Sequence, residues 1–236
     1  AIGSAGLSSL ERCCLGLPSL IIETSDNQKD LSKSLNKSGC AHYAGKFPDI
    51  NWTQISTILK NLLGDHKQLE IMSFRSMVNV DGHGTLRTVI SLLPTYKTIA
   101  SDIINLRLVE FSDESQIYEW QINPNTRKYS ENTAAPTPDE HHKWFMEKMN
   151  SEKCVQTIIQ CNERDVGVLR FEKNTDNNNT FMVSIYLDPK EYGKGIGTQA
   201  LLCGKNIFPR KNLLAKIVDK NIASKKIFAK AGFFKI

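Results

Sequence analysis

No stretch of this sequence is apolar for long enough to cross a membrane as a helix, which takes about 20 residues. The longest apolar run, 13–22, is interrupted by Gly16, Pro18 and Ser19, so membrane insertion is excluded as a reading. Charge of one sign is nowhere concentrated. Residues 1–100 carry ten Lys/Arg against eight Asp/Glu, and residues 101–236 carry twenty against seventeen. No basic block is long enough to track a phosphate backbone, so nothing points to nucleic acid as a partner. The net charge of +5 still suits small anionic ligands such as nucleotides.

Metal-binding patterns are also lacking. The six cysteines stand at 13, 14, 40, 154, 161 and 203 with no Cys-x-x-Cys, and the five histidines have no zinc-like spacing beside them. No metal site is expected. Thiols scattered in this way read as reduced and mostly buried, which suits a cytoplasmic protein. With 40% hydrophobic and 23% charged residues, the composition is that of ordinary globular chains and excludes disordered and fibrous classes. A length of 236 residues fits one large domain or two small ones. There is no initiator Met and no signal peptide. Ala1-Ile2-Gly3 reads as the end of a strand entering a turn, and Phe233-Phe234-Lys235-Ile236 as an interrupted strand. The expectation is a fragment of a longer polypeptide.

What is present divides near residue 100, into segments 1–100 and 101–236. The first segment alternates short apolar runs with helical spacing: a turn at Gly3-Ser4-Ala5-Gly6, a helix over 8–15, a strand over 19–23 and an amphipathic stretch over 26–37. Trp52, Ile55, Ile58, Leu59 and Leu62 then recur at helical spacing. This β-α-β-α rhythm predicts a parallel sheet with covering helices, an α/β class. In the second segment, 105–111 alternates like a strand and is followed by helices ending near Trp120 and over 141–149. Three strands over 155–161, 166–171 and 180–187 are joined by turns at 163–165 and 174–179. A Gly-rich turn, a helix, a strand over 213–218 and a last helix complete it. Strands joined by such turns predict an antiparallel meander.

Two constellations carry chemistry. Gly3-Ser4-Ala5-Gly6 sets small residues where a strand hands over to a helix, which lets backbone amides approach a phosphate at the positive helix end. Glu11, about one turn into that helix, can accept hydrogen bonds from two ribose hydroxyls; a sterically tight turn with Glu11 solvated is the alternative. The second constellation follows the strand at 180–187. Tyr192-Gly193-Lys194-Gly195-Ile196-Gly197-Thr198 has three glycines at alternate positions opening a helix, so that its amides can converge on a pyrophosphate and Lys194 adds charge. It is neither the Gly-Lys-Ser/Thr pattern nor Gly-x-Gly-x-x-Gly. A glycine-rich hairpin is the alternative.

The second run resembles the acyl-coenzyme A loop of GNAT-type N-acetyltransferases, Gln/Arg-x-x-Gly-x-Gly/Ala, with Tyr192 in place of the usual Gln/Arg. Asn221, Ser224 and Gly232-Phe233 match the second signature of that family, so the resemblance covers about 104–236. It implies a GNAT α+β fold with a mostly antiparallel central sheet, and acetyl-CoA as cofactor. The cofactor would be held by Leu187, Tyr192, Gly193, Lys194, Gly195, Ile196, Gly197, Thr198, Asn221 and Ser224. It further implies a backbone amide at Leu187 for the developing oxyanion. The family's usual Tyr acid falls on Phe228, which leaves Ser224 or water as proton donor.

Residues 1–93, chiefly the Glu11-Arg12-Cys13-Cys14-Leu15-Gly16-Leu17-Pro18 run, resemble the Rossmann-like nucleotide-binding half of GT-B enzymes of the MurG type, in particular UDP-sugar hydrolases of pseudaminic acid biosynthesis. This likeness implies that Ser8 and Glu11 contact UDP, with Asn27 and Gln28 facing the sugar or pyrophosphate. The catalytic histidine of that family belongs to its other half, so only half a hydrolase site is expected. Arg127 is a candidate partner for a sugar-nucleotide diphosphate, because a planar guanidinium reads phosphate bidentately; an ordinary helix-end arginine is as consistent. The His141-His142 pair reads more simply as a solvated helix face than as a base, and Trp144 and Phe145 as core. The resulting expectation is an acetyltransferase acting on the 4-amino group of a UDP-sugar, fused to part of a hydrolase. A protein or peptide amine, or a non-catalytic nucleotide-binding module, are the alternatives, and a homodimer is left open.

Overall fold

The computed structural model describes residues 1–130, 132–175 and 179–234. It forms two compact units, 1–85 and 86–236. Unit 1 runs β1 (Ile2–Ser4), α1 (Leu7–Cys14), β2 (Leu20–Glu23), α2 (Lys29–Lys37), β3 (His42–Lys46), α3 (Trp52–Gly64) and α4 (His66–Asn79). The three strands are parallel in the order β1-β2-β3, as the β-α-β-α rhythm requires. Ala5, Cys13, Ile21, Leu35, Cys40 and Ala41 bury one face, while Leu20, Ile50 and Ile55 bury another. Asn51 caps α3 through a reciprocal pair of bonds with Gln54, 3.0 Å each, which satisfies two otherwise orphaned amides.

α5 (Gly84–Ser91) leads into unit 2, which continues β4 (Tyr96–Lys97), β5 (Ile103–Leu108), α6 (Glu114–Ile122), α7 (Pro124–Arg127), α8 (Pro138–Met149), β6 (Cys154–Cys161), β7 (Arg164–Lys173), β8 (Thr180–Leu187), α9 (Ile196–Lys205), β9 (Asn212–Leu214) and α10 (Ile222–Lys230). One six-stranded sheet runs β4-β5-β6-β7-β8-β9. All its pairings are antiparallel except β8 with β9. The sheet has two covered faces. Leu106, Ile159, Leu169, Phe171, Val183, Ile196, Ala200, Leu201 and Phe228 bury one of them. Val109, Ile117, Trp120, Phe145, Ile158 and Val168 bury the other.

The structure departs from the sequence reading in several places. Residues 86–100, counted there with the first segment, lie in unit 2, where Ile90 is buried and Leu93 and Tyr96 pack against its core. The strand expected over 213–218 is only Asn212–Leu214. Phe233 and Phe234 are not in a strand, and the remainder of that expected strand, Lys235 and Ile236, lies outside the described residues. So do positions 176–178 of the turn expected at 174–179.

His141 is not on a solvated face. It is 2% exposed, and burial holds its pKa below the ordinary histidine value against the opposing pull of the Glu114 carbonyl. Its ring nitrogens lie 2.7 Å from the Gln121 side chain and 3.3 Å from the Glu114 carbonyl. His142 is the exposed member of the pair, 2.8 Å from the Glu114 carboxylate. Trp144 and Phe145 do serve the core.

Candidate functional site

The site is built where β8 loses its second neighbour. β9 pairs with β8 only from Thr180 to Met182. Beyond that point β8 has β7 on one side and, among the described residues, no partner strand on the other. The register with β7 decides which backbone groups face this opening. Asp188 N–H donates to the Val166 carbonyl at 2.8 Å, so Gly167 and Leu187, directly opposite one another, form a non-hydrogen-bonded pair. Alternation along an antiparallel ladder then turns the amides of Val183, Ile185 and Leu187 away from β7 and into the opening. The Leu187 amide is therefore free of the ladder.

The glycine run follows at once. Asp188 Oδ1 accepts from the Lys190 amide at 3.0 Å and starts a short 3-10 turn over Pro189–Glu191. Gly193 and Gly195 both take φ 81°, and a Cβ on either would meet nothing within 4 Å. Left-handed backbone at two alternate residues is glycine's domain, and the open space around them is room for a ligand rather than for a neighbouring side chain. Gly195 is the N-cap of α9 and contributes no side chain to the cap. The amides of Ile196, Gly197 and Thr198 consequently have no partner within the helix and stand at its positive end.

Buried Ile196, Ala200 and Leu201 anchor this helix. Gly197 has a different reason to be glycine: a Cβ there would come within 3.1 Å of Ile227 Cδ1 on α10 and 3.8 Å of Leu187 Cδ1. Its lack of a side chain lets α9, α10 and the end of β8 converge. This cradle fits a pyrophosphate-bearing coenzyme.

Other candidates sit differently from expectation. Lys194 does not stand free beside the loop. Its Nζ donates to Glu191 Oε2 at 2.8 Å, and Arg164 lies 3.5 Å from the other oxygen of that buried carboxylate. Tyr192 is exposed. Asn221 caps α10, its Oδ1 accepting from the Ser224 amide at 3.0 Å; only its NH2 remains available to a ligand. The Ser224 hydroxyl has no hydrogen-bond partner among the described residues. Phe228 is 4% exposed and meets Phe233 edge-on at 5.0 Å, so the position matched to the family's usual acid is a core position here.

Arg127 is engaged as well. Its Nη2 donates to the carbonyls of Asn132 and, at 2.6 Å, Ala134, which closes the loop after α7. The guanidinium holds backbone carbonyls in the position where a diphosphate was expected.

In unit 1 the loops after the neighbouring parallel strands β1 and β2 leave the same end of the sheet; Ser8 and Glu11 lie on the helix after the first, Asn27 and Gln28 on the turn after the second. Arg12 lies over the first of these loops. Its Nη2 donates to the Ser4 carbonyl at 3.1 Å and its Nη1 to Ser8 Oγ at 3.4 Å. Glu11 is exposed. Asn27 Oδ1 accepts from Ser25 Oγ at 2.6 Å, and Gln28 Oε1 accepts from the amide and hydroxyl of Thr24 at 3.0 and 3.1 Å. Two residues that sequence reasoning passed over lie here: Glu23, 2% exposed at the end of β2, accepts from the Tyr43 hydroxyl at 2.8 Å. Neither belongs to a motif that could have marked it. Among the described residues no group of three or more His, Cys, Asp and Glu could hold a metal ion, and no helix is long and apolar enough to cross a membrane.

Residues 104–234 match the model of the acetyltransferase (GNAT) domain. No curated protein is similar enough to match the chain. Solved structures are similar over somewhat more than half of the chain. An aminoglycoside acetyltransferase in complex with coenzyme A and kanamycin is 19% identical with a TM-score of 0.51, covering 56% of this chain and 85% of its own. RimJ of Mycobacterium smegmatis in complex with CoA-disulfide is 17% identical with a TM-score of 0.51, covering 60% and 74%. A domain from Methanocaldococcus jannaschii is 26% identical with a TM-score of 0.50, covering 57% and 90%. The likeness to the first two is one of fold.

Proposed function

The chain belongs to the GNAT acetyltransferase family through residues 104–234 and depends on acetyl-CoA, and on that footing we propose that its acceptor is the 4-amino group of a UDP-amino-sugar in nonulosonate (pseudaminic acid) biosynthesis. The observation that carries the transferase reading is the Leu187 amide, turned into the opening beside β8 next to a glycine loop that leaves room for a ligand. The acceptor reading is supported by the likeness of residues 1–93 to a UDP-sugar-binding half. The family match begins beyond that segment, so its role in holding UDP through Ser8, Glu11, Asn27 and Gln28 is part of the proposal.

When bound, acetyl-CoA supplies an acetyl group activated as a thioester. The amides of Ile196, Gly197 and Thr198 would hold its pyrophosphate at the start of α9, with Gly193 and Gly195 leaving the approach clear. Tyr192 and the Asn221 NH2 would be the side-chain groups available to it. Lys194 reaches a phosphate only by exchanging its bond to Glu191. The Leu187 N–H donates to the oxygen on which negative charge develops, a contribution of the kind worth about 2.7–4 kcal/mol per donor. The amine reacts in its unprotonated form. His141 is committed at both ring nitrogens, so water is the nearest sink for the amine proton.

Ser224 is proposed as the relay to the departing thiolate, its hydroxyl giving a proton as it takes one from water, since Phe228 has no hydroxyl. Ser224→Ala is expected to lower kcat by about 10²-fold, the lower end of what a rate-limiting general acid contributes. Affinity for acetyl-CoA should hold, because the cap on α10 uses the Ser224 main-chain amide. An unchanged kcat would hand the role to water.

The acceptor is tested by following release of the coenzyme A thiol with a UDP-4-amino-sugar and with an N-terminal peptide. Faster release with the sugar nucleotide is expected, and Arg127→Ala should leave its rate nearly unchanged. Preference for the peptide would replace this acceptor with a protein amine.

A further inference from the structure

A carboxylate sits under the loop that receives an anion. Glu191 closes the short turn ahead of the glycine run and is 7% exposed. A buried charge persists only when it is paired, and two cations from different elements supply the pairing. Lys194 Nζ, between the two left-handed glycines, is 2.8 Å from Oε2; Arg164 Nη1, at the start of β7, is 3.5 Å from Oε1. Each oxygen has its own partner, and both cations are exposed. A tight turn alone needs no charge at this position, and a negative charge opposes the arrival of a phosphate. The function of this carboxylate has to be sought in the lysine it holds.

The two contacts are unequal. Lys194 donates at full hydrogen-bond contact, while Arg164 stands at the outer limit of one. Lysine offers a compact charge on a flexible stem, whereas the planar fork of an arginine can take both oxygens of a carboxylate. Drawing Lys194 away from a buried acid that had no other cation would strand the acid, which is strongly unfavourable. Here a second cation is already beside it. A short inward movement of an exposed side chain brings Arg164 into full contact, and the buried charge stays paired while Lys194 is elsewhere.

We infer that Glu191 holds Lys194 in the free protein and that Arg164 is the replacement cation: an arriving coenzyme pyrophosphate draws Lys194 off the carboxylate, and Arg164 closes on both of its oxygens. The inference rests on the acetyl-CoA reading of the loop and adds two positioning residues to it, Glu191 and Arg164, neither of which touches the coenzyme. One ion pair is exchanged for another, so the lysine adds little net attraction. Product coenzyme A then leaves with an acceptor waiting for the lysine it releases.

The test is calorimetric affinity for acetyl-CoA, at low and at raised salt, with the full chain and its variants. Glu191→Gln removes the competitor and should bind about tenfold tighter, the scale of one charged hydrogen bond. Its affinity should also fall faster as salt is added, because Lys194 then meets the phosphate without giving up an ion pair. Adding Lys194→Ala should erase that gain. Arg164→Gln should weaken binding about tenfold in the parent and leave the Glu191→Gln variant unchanged, since no buried charge then needs a replacement partner. A carboxylate that merely braces the turn gives the opposite sign, with weaker binding by Glu191→Gln. That result, an unchanged affinity, a gain without the added salt sensitivity or one that survives the loss of Lys194 would overturn the inference. So would an Arg164→Gln variant that binds like the parent, or one whose effect persists beside Glu191→Gln. Should Glu191→Gln not melt cooperatively, Glu191→Asp takes its place: the shorter side chain loosens the hold on Lys194, a smaller gain is expected, and an equal or lower affinity overturns the inference. If the parent binds no acetyl-CoA, the cofactor reading fails and this inference with it; binding by the parent beside any overturning result leaves that reading standing.

Discussion

Gly195→Val is expected to abolish measurable acetyl-CoA binding while leaving the far-ultraviolet dichroism close to that of the parent. Gly195 holds φ 81°, a region where an ordinary L-residue is strained by roughly 1–2 kcal/mol and a β-branched one is a genuine outlier. The loop must therefore leave its left-handed conformation, and the amides that open α9 lose their common direction. Beyond the adjoining residues, a Cβ at Gly195 would meet nothing within 4 Å, so the new side chain starts in open space. It enters the ligand's room. The two effects act together on binding and spare the core, where Ile196, Ala200 and Leu201 still anchor the helix. An affinity loss beyond 100-fold is expected by calorimetry. Heat of binding comparable to that of the parent would remove the pyrophosphate role from this loop.

Gly167→Ala is expected to reduce kcat by about 10²-fold and stability by about 1–3 kcal/mol. A Cβ at Gly167 would meet backbone: the Tyr186 carbonyl oxygen, and Leu187 Cα at 2.8 Å. A side chain can swing aside, but a strand held by its ladder must move as a whole. Overpacking of this kind typically costs the stated stability. The displacement falls on the residue whose amide is turned into the opening, and misplacing such a group by about 1 Å can cost 10²-fold in rate. Gly204→Ala is the control. Its new methyl would meet side-chain atoms only, including Phe171 Cζ at 2.8 Å, so it should lower the melting temperature and keep kcat. Equal kcat for Gly167→Ala and the parent would separate the Leu187 amide from the reaction.

The glycine loop was legible because its chemistry is local: alternate glycines after a strand need no distant partner to be read. The mostly antiparallel sheet followed from turn residues at short spacing, and the parallel one from helices between strands. What failed to show were pairings made through space. Lys194 reads as a free cation until the turn over Pro189–Glu191 brings Glu191 beneath it. Arg127 reads as a phosphate reader until the loop after α7 folds its carbonyls back. His141 looks solvated beside His142, and only the rings of Tyr118, Trp144 and Phe145 bury it. β3, α4 and β4 carry weak local patterns and arise from packing. Arg164 carries no sequence signal at all. An arginine at the start of a strand becomes telling only when the buried carboxylate beside it is known.

The short strand β4 has a consequence for where this chain tolerates being cut. The strand and helix pattern changes near residue 100, which makes that point attractive for isolating the second half. Yet Tyr96 and Lys97 pair with Ile104 and Ile103, the Tyr96 hydroxyl accepts from Asn206 Nδ2 at 2.9 Å on the turn after α9, and Ile90 is buried in the same core. A chain starting after residue 100 would expose β5 as a bare sheet edge rich in isoleucine and leucine, beside a vacated apolar hollow. Unpaired edges of that composition template self-association. A cut near residue 85 keeps the strand and leaves the sheet with its own guard against aggregation.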